Sequence, residues 1–125
     1  YFTIEEANAL LPTLRKWVKH LMSVHEGILV TRPQMIDILE TRFLDCGSPV
    51  ASRMYVLFLR FEEILRAINR LGVEIKEPGS GLCDFLALHE GREIYLCWRF
   101  GEPEVEWWHE LHTGFAGRRH VRELR

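Results

Sequence analysis

The chain is defined first by what it does not contain. No stretch approaches the roughly 20 apolar residues that a membrane-spanning helix needs, so no membrane partner is expected. There is no basic excess: 16 Lys and Arg stand against 18 Asp and Glu, for a net charge of −2. That balance argues against a general nucleic-acid binder, whose footprint is basic. The three cysteines are odd in number and lack framework spacing. Reduced thiols and a cytoplasmic setting are therefore expected, rather than a disulfide scaffold. The opening residues carry Glu5 and Glu6 where a secretory signal would be basic, so no signal is read there. No Met stands at the start, and Tyr1 is not read as the natural first residue. No complete catalytic motif is present.

What the chain does contain fits one domain. Its 125 residues are 47% hydrophobic and 27% charged, enough apolar material for a core without help from disulfide or metal. Thr3 followed by Glu6 is a capping box, with Phe2 placed as a hydrophobic staple. Ile4, Ala7, Leu11, Leu14, Val18, Leu21 and Ile28 then recur in steps of three and four, and His25 fills the slot in between. This is the pattern of a helix packed on another helix. Pro12 predicts a kink, and Thr31-Arg32-Pro33 a break. A shorter helix follows and ends at Cys46-Gly47. Ser48-Pro49 caps a further helix, in which Val50, Met54, Leu57, Phe61, Ile64, Ile68 and Leu71 form one stripe; Gly72 ends it. Two long stripes with heptad-like spacing predict an antiparallel helical hairpin and favour a homodimer, because a small chain has little else to cover them.

After Gly72 the period changes. Cys83 to Leu88 and Glu93 to Arg99 alternate as strands across a Glu90-Gly91 turn. A two- or four-residue loop sets Leu88 opposite Glu93 and Asp84 opposite Cys97, whereas a three-residue loop would scramble this register. Phe85, Ala87, Ile94, Leu96 and Trp98 then share the face turned to the helices. Asp84, Leu86, Leu88, Tyr95, Cys97 and Arg99 share the other, with Asp84 and Arg99 diagonal and within reach of a salt bridge. Cys83 and Cys97 fall on opposite faces, which argues against a disulfide between them. Glu104 to Trp107 alternates as a third strand.

The candidate chemistry lies beyond it. His109 and His112 are three apart, and on a helical turn both rings reach one side, a workable pair for a divalent metal ion. They are not a zincin pair, which needs a spacing of four. Gly114 to Gly117 followed by Arg118 and Arg119 reads as an anion-binding nest, weighed against a plain surface turn. It lacks the Lys-Ser/Thr of a P-loop. Cys97 is a further candidate nucleophile if His109 lies near it, a proximity that the spacing does not show.

Two strings in this region, LGVEIKEPGSGLCDF and GREIYLCWRFGEPEVEWWHELHTGFAGRR, together with the opening YFTIEEANALLP, resemble a prokaryotic family catalogued as domain of unknown function 2203. The positions that match the family pattern are Gly81, Asp84, Phe85, Cys97, Trp98, Arg99, Gly101, Glu102, His109, Gly114, Gly117 and Arg118. His112 stands where an acidic residue is more usual, and His120 where proline is. The resemblance implies no known reaction.

The expected architecture is α+β in a single domain over 1–125. A helical part over 1–72 holds the hairpin and the short extra helix. A small three-stranded antiparallel sheet and the site loop occupy 73–119, and a basic tail occupies 120–125. The expected function is a cytoplasmic oligomeric binding or regulatory domain, with a small anion among its candidate partners. Its polar pocket is drawn from Asp84, Cys97, Arg99, Glu102, His109 and Arg118. The alternatives are a small metal-dependent enzyme using His109 and His112, and a structural helical interaction protein.

Overall fold

A computed structural model describes residues 1–41 and 49–124. The capping box forms at the start of the first helix. Thr3 N–H donates to Glu6 Oε1 at 3.0 Å, and Glu6 N–H donates to Thr3 Oγ1 at 3.1 Å. From there α1 runs over Ile4–Thr41 without interruption, through both Pro12 and Pro33. The expected break at Pro33 and the separate short helix are therefore corrected: they are one helix. A proline inside a helix costs about 3 kcal/mol. The inward row continues past it, however, through Ile28, the buried Thr31 and Met35, so packing on the neighbouring helix carries the helix across. The second helix, α2, occupies Pro49–Arg70, with proline opening it. The stops read at Cys46-Gly47 and the Ser48 cap lie outside the described residues.

The helices pair antiparallel and cover one face of a sheet whose strands follow chain order: β1 Val73–Glu77, β2 Leu82–His89, β3 Arg92–Arg99, β4 Trp107–Glu110 and β5 Arg119–His120. The architecture is α+β as expected, but with five antiparallel strands among the described residues instead of three. The central hairpin has the expected register, with Asp84 opposite Cys97 and Leu88 opposite Glu93. Its two-residue turn places Glu90 and Gly91 both at positive φ, 52° and 77°. Those angles match the right-handed twist of the flanking strands. The third strand begins at Trp107, three residues later than the alternation suggested. Val105 before it is held on α1 by Asn8, whose Oδ1 accepts the Val105 N–H at 2.7 Å, so this stretch serves the helix and not the sheet.

The alternation works as chemistry requires. Phe85, Ala87, Ile94, Leu96, Trp98 and Trp108 face Ala7, Leu11, Leu14, Val18, Leu21, Ile64 and Ile68 in one core. Phe2 packs edge-on against Phe85, with ring centroids 5.2 Å apart. The described part of the basic tail, 120–124, is anchored: Val121 N–H donates to the Glu106 carbonyl at 2.9 Å, and Val121 and Leu124 pack on the core.

Candidate functional site

On the outer face of the sheet, three adjacent strands each contribute one chemically active side chain: Asp84 from β2, Cys97 from β3 and His109 from β4. All three are buried. One ligand-capable atom from each, a carboxylate oxygen, a thiol sulfur and an imidazole nitrogen, lies within 4.8 Å of the other two. His109 stands opposite Tyr95 in the register. Its side chain crosses β3 to reach Asp84, with Nε2 lying 3.0 Å from Oδ1 and 3.1 Å from Oδ2. Nδ1 lies 2.7 Å from the Glu110 carbonyl. A carbonyl only accepts, so Nδ1 carries a proton and the ring is oriented with Nε2 towards Asp84. Burial works against a charged imidazole here. The hydrogen bonds to Asp84, Cys97 and the Glu110 carbonyl, with the Asp84 charge, outweigh it and push the His109 pKa up to about 10.

A second pair closes the other side of the sulfur. Arg118 Nε donates to Cys97 Sγ at 3.4 Å, and its Nη2 donates to the Cys97 carbonyl at 3.4 Å. The same guanidinium forks onto Glu102, with Nη1 on Oε2 at 3.0 Å and Nη2 on Oε1. Burial opposes its charge, but Glu102 and Cys97 raise its pKa. Its guanidinium lies over two rings, 4.7 Å from Phe115 and 5.5 Å from Trp107. Glu102 Oε1 also accepts the Arg99 backbone N–H at 2.6 Å. Five polar groups therefore run in sequence across the face: Glu102, Arg118, Cys97, His109 and Asp84.

A cleft of about 260 Å³ opens above Asp84 and His109. Lys76, Tyr95, His112, Thr113 and Phe115 are among its walls. The Tyr95 hydroxyl is pushed up to about 12 by its hydrogen bond to Glu74, by burial, and by the Glu74, Asp84 and Glu93 charges. Its ring lies 5.6 Å from that of His109.

Of the six expected pocket residues, Asp84, Cys97, Glu102, His109 and Arg118 come together. Arg99 does not join Asp84. Its guanidinium lies over Phe115, 5.3 Å from the ring centroid, on the wall of a neighbouring groove, and the Asp84 carboxylate is taken by His109 instead. The helical turn assumed for His109 and His112 is also corrected. His109 is on a strand and buried, whereas His112 follows in a turn and is exposed on the cleft wall. The arginines of the Gly114–Gly117 turn are both committed to acids, Arg118 to Glu102 and Arg119 to Glu123, so they do not form a free clamp. Tyr95, Lys76 and Phe115 were missed as cleft walls. The alternation alone put Tyr95 on the same face as Cys97, two residues away.

The fold and this face define a small α+β protein with a buried carboxylate–thiol–imidazole cluster, two of whose members, Asp84 and His109, line an open cleft. The chain belongs to the DUF2203 family, described as an uncharacterized conserved protein, whose sequence model matches residues 1–121. No curated protein and no solved structure matches the chain.

Proposed function

We propose that Asp84, Cys97 and His109 hold one divalent metal ion, zinc by the chemistry of the donors, and that the cleft presents its remaining coordination position to a small ligand. The observation that carries this is the convergence of three different donors from three neighbouring strands on one buried point. Nitrogen, sulfur and carboxylate oxygen together suit zinc. His109 is held as a ligating imidazole is commonly held, with its far N–H on a backbone carbonyl. The proton between Nε2 and Asp84 marks the position that a metal cation would take. A relay of Cys97, His109 and Asp84 for nucleophilic catalysis is less well supported. Such a relay needs one ring nitrogen for the nucleophile and the other for the acid, and Nδ1 is spent on the Glu110 carbonyl. Three protein donors with one side open to a cleft is the pattern of a catalytic site, in which the ion acts as a Lewis acid on bound water or substrate.

The test is metal content of untagged protein, together with cobalt substitution. The expected result is one ion per chain, and a thiolate-to-cobalt absorption band that is lost in Cys97→Ser. His112→Ala should keep the ion. Protein that takes up neither zinc nor cobalt overturns the proposal.

A second reading rests on the Nε2–Asp84 contact itself: a metal-free imidazolium fixed by Asp84 would make the cleft a pocket for a small anion, as in a binding or regulatory domain. Phosphate or acetate protecting the metal-free protein against heat would favour it.

A further inference from the structure

We propose that the ligand of this cleft is a small two-ended acid: one end binds the metal ion, and a carboxylate at the other end is held by Arg99. This rests on the metal reading of Asp84, Cys97 and His109, and it adds what that site takes. Two depressions lie side by side on the outer face of the sheet. One is the cleft above Asp84 and His109. The other is a groove of about 180 Å³ walled by Glu77, Ser80 and Arg99. Leu82 and Phe115 line both, so the two depressions meet over one apolar sill.

Strand geometry sets the distance between the two ends. Arg99 stands two residues beyond Cys97 on β3, and alternation turns both to the outer face. In the register Cys97 is opposite Asp84, and Arg99 is opposite Leu82. Two residues of strand amount to roughly 7 Å. A ligand that touches the ion with one end therefore reaches the Arg99 guanidinium with the other when it is several bonds long. Its middle must be apolar to cross Leu82 and Phe115. Phe115 keeps 42% of its surface exposed, which such a middle would cover.

Charge singles out Arg99. Two other cations near the cluster are committed: Arg118 is paired with Glu102, and Lys76 Nζ lies 3.6 Å from Glu74 Oε1. The Arg99 side chain is exposed, and its guanidinium rests over the Phe115 ring with no carboxylate partner among the described residues. Contact with a ring leaves guanidinium N–H groups available, and they match a carboxylate at two points. Glu77 shares the groove without pairing with Arg99. Its negative charge favours a singly charged carboxylate there over a phosphate ester, which carries nearly twice the charge at neutral pH.

Ligand titration of the cobalt-loaded full chain tests this, read from the cobalt visible band. Adipate, a dicarboxylate long enough to span both ends, should bind about 10-fold tighter or more than hexanoate, its single-headed counterpart. Succinate, too short to span, should bind no better than hexanoate. Arg99→Gln should bring adipate down to the level of hexanoate and leave hexanoate within about twofold of wild type. Arg99→Lys should keep part of the preference, since the charge remains and the fork is lost. Equal binding of adipate and hexanoate by cobalt-loaded wild type, succinate as tight as adipate, or a preference that survives Arg99→Gln overturns the proposal and leaves the metal reading standing. A wild type that takes up no cobalt overturns both.

Discussion

Arg118 and Glu102, sixteen residues apart, form a two-point pair that is largely buried and directly adjoins the Cys97 sulfur. The guanidinium geometry matters as much as its charge, because the fork grips both carboxylate oxygens while Nε stays free for sulfur. Arg118→Ala leaves Glu102 without its partner, and should cost about 2–3 kcal/mol in urea unfolding. Arg118→Lys should recover less than half of that loss, since an ammonium cannot fork. Equal stability for wild type and Lys variant would mean that only the charge counts.

The Asp84–His109 contact predicts a pH dependence for metal-free protein. The His109 pKa is raised from 6.5 to about 10. A raised folded-state pKa means that protonation stabilises the fold. The gain is complete below about pH 6.5 and is lost as pH rises through about 10. Urea midpoints of chelator-treated wild type should fall between pH 6.5 and 10, and His109→Gln should flatten that fall.

Cys83 and Cys97 should both resist alkylation in the folded protein. Both are free and buried, and burial, with the Asp84 and Cys97 charges, pushes the Cys83 thiol up, away from the reactive thiolate. Peptide mapping after iodoacetamide should find both unlabelled in buffer and both labelled in concentrated urea. Rapid native labelling of Cys83 would show that the core opens there.

Two glycines at positive φ should behave differently when replaced by alanine. At Gly81, φ +69°, a Cβ would lie 2.7 Å from Phe100 Cβ and 2.8 Å from Val18 Cγ1. At Gly91, φ +77°, nothing lies within 4 Å. Gly91→Ala should cost about 1 kcal/mol, from backbone strain alone. Gly81→Ala should cost a further 1–3 kcal/mol from overpacking between sheet and helix. Thermal melts of both variants would show the gap, and equal losses would mean that the sheet shifts freely on α1.

The parts of this structure that were legible in the sequence are those set by local rules. The hairpin from Leu82 to Arg99 was readable because the alternation and the Glu90-Gly91 turn fix its register within a few residues. The cap at Thr3 and Glu6 was readable for the same reason. Pro33 misled because its local cost is real but smaller than the packing of the helix around it. β1 and β5 went unassigned: Val73–Glu77 and Arg119–His120 are short segments that become strands only through their neighbours. The site was partly legible. Asp84, Cys97 and His109 were read into one polar pocket, with Arg99, Glu102 and Arg118, but the metal donors were read as His109 with His112. The union of Asp84 with His109 depends on how β4 aligns with β3, and the histidine spacing favoured a helical turn that the strand pairing overrides.

The cluster draws on three strands, and this has a kinetic consequence. Asp84 and Cys97 are cross-strand neighbours in one hairpin, so two donors exist as soon as that hairpin closes. The third arrives only when β4 zips onto β3, through four residue pairings from Ile94–Glu110 to Cys97–Trp107. Any ion captured there would therefore act as a latch on β4. Its residence time would follow the local opening of β4 with the short β5 paired to its outer side, rather than the unfolding of the whole chain, and peeling that pair from β3 would be the route of release.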